Sequence, residues 1–170
     1  MSSVGHLMVG AAASRYSLDS PRTRERRLFW VLMTGIAVLP DIDLALLGLG
    51  VPRWLILGHR GATHSLVAAL VVVTIVTLLA AAVRLPWRRV AVGSFVAIGS
   101  HALLDSFTPG PGVAWLWPFS NVRFPTWPIL PMAPLGDDVS ARTFLILLVA
   151  EIVVFSPFVV YAVLGRRPDH

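Results

Sequence analysis

The sequence contains no cysteine, so it can build neither a disulfide framework nor a thiolate metal site. Any metal must be held by His, Asp, Glu or backbone oxygen. Lysine is also missing: all 14 cationic side chains are arginines. Charge of either sign is scarce. Only 14% of the 170 residues are charged and 56% are hydrophobic, against about 25% and 45–50% in a soluble domain. With a mean hydropathy of +0.76, the composition excludes an ordinary soluble enzyme. It predicts a single membrane-embedded domain over residues 1–170. The pI of about 11.2 invites a nucleic-acid reading, but the arginines sit between apolar runs, where topology explains them and no nucleic-acid partner is expected. The early "AAAS" looks like a cleavage site, yet it lacks a basic leader and follows a run broken by His6, so the segment is expected to be retained.

What the chain has instead is long apolar runs. A spanning helix needs about 20 such residues, and four segments approach this: Leu28 to Gly50, His64 to Val83, Val90 to Phe107 and Thr143 to Leu164. Pro40 interrupts the first and Pro157 lies in the last. A short helix, Ser2 to Tyr16, precedes them. The expected fold is all-α: an integral membrane helical bundle of about four transmembrane helices. A Pro/Trp-rich loop from Thr108 to Arg142 should fold over it as a cap, with Trp115, Trp117 and Trp127 as an interfacial belt. Ten arginines fall on one side of a four-span arrangement and four (Arg53, Arg60, Arg123, Arg142) on the other. The arginine-rich side is then cytoplasmic and the protein multi-pass, with the long loop extracytoplasmic.

Ionisable residues inside such helices are costly and mark function by default. Asp41 lies 13 residues past Leu28, roughly 20 Å from the cytoplasmic end at about 1.5 Å per residue. His101 and Glu151 fall at similar depth in their own segments. The groups converge in the outer half of the membrane, while the cytoplasmic halves ("FWVLMTGIAV", "LVVVTIVTLLAA", "VFSPFVVYAVL") hold no ionisable residue. "HALLD" sets His101 and Asp105 on one helix face, "LPDID" offers Asp41 and Asp43, and "HRGATHS" offers His59, Arg60 and His64. Neutral imidazoles with carboxylates suit a divalent metal: zinc first, manganese or iron as alternatives. The candidate ligands are His6, Asp43, His59, His64, His101, Asp105 and Glu151. Asp41 or Asp43, if not a ligand, could accept a proton from water. Arg60, with Arg123, could clamp an anionic group.

The order of an early His ("VGHLMVGAAA"), "LPDID", "HRGATHS" and "SHALLDSFTPGPG", over about residues 4–136, resembles the YdjM-like family of membrane-bound, predicted metal-dependent hydrolases. It is also similar to the helical zinc-dependent phospholipase C and single-strand nuclease superfamily. That second likeness implies a multi-zinc phosphoesterase site in which His6, Asp43 or Asp41, His64 or His59, His101 and Asp105 are ligands. The chain departs from it after Asp105, where no His follows before His170 and Glu151 would have to serve, so one or two metals are expected. The implied activity is hydrolysis of an ester or phosphoester on a lipid-borne substrate, from an outward-facing site. The competing function is a transporter or ion-handling protein using the same His/Asp cluster, but a pathway should continue into the cytoplasmic halves.

Overall fold

The computed structural model describes residues 3–17, 23–131 and 140–164. Part of the Pro-rich loop, the C-terminal arginine pair and His170 lie outside the described residues. Six α-helices follow in order: α1 Ser3–Ser17, α2 Thr23–Val38, α3 Asp43–Gly48, α4 Leu66–Ala82, α5 Trp87–Asp105 and α6 Ala141–Leu164. The secondary structure of the described residues is helical, with one isolated bridge between Val113 and Phe124. Each expected helix is present, and the first long segment is divided. Pro40 has no N–H to continue the ladder of α2, so Leu39–Ile42 forms a 3₁₀ turn and α3 restarts at Asp43.

Helices α1, α2, α5 and α6 surround the site, and α4 packs on α5. Met33, Ala37, Ala97 and Ile98 are the centre of the core between α2, α4 and α5. Gly10 lets α1 touch α2: a Cβ there would lie 2.7 Å from the Met33 carbonyl and 2.8 Å from the Ala37 methyl. Small residues at such crossings are how membrane helices gain close contact. In α6, Pro157 leaves the Val153 carbonyl without its i+4 donor, and the Ser156 hydroxyl donates to it at 2.8 Å. A backbone carbonyl facing lipid needs such a replacement.

Two helical stretches are long and apolar enough to cross a membrane, Arg26–Leu46 and Ala141–Leu164, and α4 is a shorter apolar helix of 17 residues. The outer faces of α4 and α6 expose Leu78, Leu79, Val153 and Val163, an arrangement suited to lipid rather than water. The loop between α3 and α4 is a chain of tight turns: Gly58 donates to Leu55, Gly61 to Gly58 and Ala62 to Ile56. The segment after α5 crosses over this loop, with Ala114 donating to the Arg60 carbonyl and Leu66 to Trp115. It returns to the end of α5, where Trp127 donates to Ser106 and Leu130 to Phe107. The described part of the Pro/Trp-rich segment therefore does cap the bundle. Trp115 is tied inward through Nε1 to Ser106 Oγ at 3.2 Å, whereas Trp127 is exposed.

Candidate metal centre

The broken helix at Pro40 decides where the acidic side chains point. Residues two apart on a continuous helix face different ways. The 3₁₀ turn instead delivers Asp41 and Asp43 to the same histidines. Ser65 caps α4 by accepting from Ala68 N at 3.1 Å, which fixes His64 immediately ahead of it. His101 is held at the end of α5 by an Nδ1–H bond to the Ala37 carbonyl at 2.7 Å.

That bond sets the tautomer of His101: Nδ1 carries the proton and Nε2 presents a lone pair. His64 Nδ1 lies 3.2 Å from Asp43 Oδ2, an acceptor-only carboxylate, so His64 Nε2 presents a lone pair as well. The two Nε2 atoms face each other at 3.0 Å. Two lone pairs so close repel unless a proton or a metal cation lies between them. The Asp41 and Asp105 carboxylates complete the group. Asp41 Oδ1 is 3.3 Å from His101 Nε2 and 3.8 Å from His64 Nε2. Asp105 Oδ2 is 3.3 Å from His64 Nε2 and 3.7 Å from His101 Nε2. A tetrahedron with metal–ligand bonds of about 2.0–2.1 Å has edges of about 3.3–3.4 Å. The five separations that involve a nitrogen run from 3.0 to 3.8 Å, around that figure, and two neutral imidazoles with two carboxylates would balance a divalent ion. The group can hold a metal ion.

Around these four, other residues have distinct places. Asp43 takes a bond from His59 Nδ1 at 2.8 Å, from Thr63 Oγ1 at 2.6 Å and from the Arg60 backbone N–H at 3.2 Å. It orients His64 and His59 from behind, the usual position of a carboxylate that fixes a metal-bound imidazole. A second grouping, Asp43, His59 and His64, also has metal-compatible spacing. His6 stacks on His101 with ring centroids 3.7 Å apart. Its Nε2 is 3.5 Å from Asp105 Oδ1, and neither ring nitrogen hydrogen-bonds another described residue although the side chain is buried. An imidazole left so in the interior is unusual, and it keeps His6 beside the donor set. If Asp43 orients a metal-bound His64, Asp43→Asn should weaken zinc retention by about 10–100-fold in chelator competition, with the bound stoichiometry unchanged at saturating zinc.

A YdjM inner membrane protein family model matches residues 1–166. The chain belongs to that family. It is 42% identical over 115 residues to the inner membrane protein YbcI of Escherichia coli (strain K12), a match spanning 62% of this chain and 64% of YbcI. The chain therefore covers less than two thirds of the length of that relative. No solved structure matches.

In this member of the YdjM family, an inner membrane protein, three sequence-level assignments land away from their expected partners. Arg60, read as an anion clamp, is 2% exposed and turned into the protein. Its Nη2 donates to Thr108 Oγ1 at 2.8 Å, its Nη1 to the Asp105 carbonyl at 3.1 Å, and its Nε lies 3.3 Å from Asp105 Oδ2. The guanidinium is buried and engaged by the end of α5. Arg123 likewise donates to four carbonyls, those of Arg53, Leu55, His59 and Gly112, pinning the loop that carries His59. Partial burial pulls its guanidinium below the ordinary arginine value, with the nearby Asp43 charge acting the other way. Glu151 accepts from Gly5 N at 3.0 Å, so its carboxylate meets the unsatisfied donors at the start of α1 and lies outside both metal-compatible groups. The sequence reading missed Thr63 and Thr108. Each lies beside a recognised motif, Thr63 inside "HRGATHS" and Thr108 three residues past Asp105, and that adjacency was the available signal.

Proposed function

We propose that the protein is a zinc-dependent hydrolase whose site opens toward the extracytoplasmic side of the membrane and acts on an ester or phosphoester of a lipid-borne substrate. The observation that carries this reading is the set of four converging donors, His64 Nε2, His101 Nε2, Asp41 Oδ1 and Asp105 Oδ2, separated by 3.0–3.8 Å wherever a nitrogen is paired. Manganese or iron in place of zinc satisfies the same donors less selectively. For catalysis the ion would have to take a water as a fifth ligand beside these four donors, and it would then lower the pKa of that water to about 7 and polarise the scissile group.

The protein's own part follows from which residues are accessible. Asp41 and His59 have side chains 9% and 13% exposed, while those of His64 and Asp43 are fully buried, so the site is approached past Asp41 and His59. With Asp41 among the ligands, His59 becomes the proton acceptor. Its Nδ1–H is fixed by Asp43, which leaves Nε2 with the lone pair a general base requires. Asp43 thus orients two imidazoles with different duties. Exposed Ile42, Trp54 and Leu57 flank these residues in sequence and would rest among lipid acyl chains, which favours a substrate that stays in the bilayer. The outward orientation is supported by the arginine distribution: in a four-crossing arrangement with the arginine-rich ends of α2 and α5 inside, the site lies on the outer side.

The test is turnover by zinc-loaded protein, reconstituted in vesicles, on a panel of phosphoester and carboxylic-ester lipids. His59→Gln should lower turnover about 10²–10⁴-fold while keeping its zinc. Loss of zinc in that variant would make His59 a ligand instead. Metal flux through proteoliposomes without hydrolysis by wild type would replace the enzyme reading with transport.

A further inference from the structure

At the opposite end of the bundle from the His/Asp cluster, a groove of about 360 Å³ runs between α1, α5 and α6. It exists because the residues facing one another there are small or cannot pack closely: Ala12 and Ala13 on α1, Gly93 on α5, and Pro157 on α6. Tyr16 and Tyr161 complete its apolar wall. Val9, which lines the groove one turn along α1 from His6, packs with Phe155 at that end.

The rim of this groove is cationic. Arg15 directly precedes Tyr16 in the last turn of α1. Arg89, Gly93 and Val96 fall at i, i+4 and i+7 on α5, one face of a helix, so Arg89 sits a turn beyond the groove wall. Both arginines are partly buried. Arg88 is placed differently, over the Trp87 ring at 5.2 Å. An apolar slot open to the membrane, with arginines at one end, matches one kind of molecule in its surroundings. That molecule has an acyl chain for the slot and an anionic phosphodiester for the arginines.

We propose that this groove holds a resident anionic phospholipid, its acyl chain along α1, α5 and α6 and its phosphate between Arg15 and Arg89. The lipid fills the space left by Ala12, Gly93 and Pro157 and ties α6 to α1. This site does not depend on the metal chemistry proposed above.

The full chain, purified in mild detergent and exposed to an equimolar mixture of phosphatidylglycerol and phosphatidylcholine, is examined by native mass spectrometry. Wild type should retain one phosphatidylglycerol. Arg15→Gln with Arg89→Gln should reduce the preference for phosphatidylglycerol by about fivefold per arginine. Ala12→Leu, or Gly93→Leu if the former misfolds by circular dichroism, should abolish retention of either lipid. Equal retention of the two lipids by wild type, or full retention by a folded groove-filling variant, overturns the proposal. So does zinc-dependent cleavage of the bound lipid, which would make the groove part of the substrate site.

Discussion

Protein purified from zinc-replete cells is expected to carry about one firmly held zinc per chain, and His101→Ala to carry none. The reason is the opposed pair of lone pairs. His101 cannot relieve it by changing tautomer, because Nδ1–H is committed to the Ala37 carbonyl at 2.7 Å. His64 cannot either, because its Nδ1 faces Asp43 at 3.2 Å. Without an ion, the 3.0 Å contact between their Nε2 atoms is relieved only when a second proton on His64 bridges it, so the metal-free protein should be less stable once that proton is lost. At free zinc a thousandfold above its dissociation constant, binding adds about 4 kcal/mol to the folded state. For a chain of this size that corresponds to about 10 °C in unfolding temperature. Differential scanning fluorimetry with and without a chelator, beside elemental analysis, measures both. His101→Ala should show no chelator-dependent shift. A wild-type protein without stoichiometric transition metal, or an alanine variant that keeps it, would sink the metal-centre reading.

The histidines and carboxylates were legible because each lies in a short motif and the motifs fall at matching distances along their apolar segments. "HALLD" needed only helical spacing to align His101 with Asp105. The apolar runs likewise announced α4, α5 and α6 to within a few residues, since lipid-facing helices must be apolar on nearly every side. The sequence did not show how the two aspartates divide their work. Within a helix Asp41 and Asp43 would diverge, and only the 3₁₀ turn imposed by Pro40 aims Asp41 at the Nε2 atoms and Asp43 at the Nδ1 side. Glu151 was hidden for another reason. Its acceptor role depends on the start of α1, 146 residues away in sequence, and no local pattern records that meeting. Arg60 was the largest surprise. Its backbone adopts φ +64°, a left-handed conformation costing a non-glycine residue about 1–2 kcal/mol. That conformation turns the side chain inward beneath Asp105, and nothing in "HRGATHS" announces it.

That inward turn gives the second large expected effect: Arg60→Gln should destabilise the metal-free protein by about 3–5 kcal/mol, the usual consequence of removing one partner of a buried ion pair. The Asp105 carboxylate would then be left beside Asp41 and the imidazoles of His6, His64 and His101 without the guanidinium that balances it. Zinc supplies positive charge to the same carboxylate, so the loss should shrink when the metal is bound. Zinc should therefore raise the unfolding temperature of Arg60→Gln by more than it raises that of wild type. Lysine is a poor substitute, because one ammonium cannot reach Asp105 Oδ2, the Asp105 carbonyl and Thr108 Oγ1 with the geometry of the planar fork. Gly110 bears on the same pocket, since a methyl group there would collide with the guanidinium. Gly110→Ala should accordingly shift stability in the same direction as Arg60→Gln. Thermal unfolding of both variants with and without zinc, together with their KM values, separates this role from the anion clamp read in the sequence. Loss of a clamp would raise KM and leave the unfolding temperature where it was. Loss of a buried counter-charge lowers the unfolding temperature first, and lowers it most when the metal is gone.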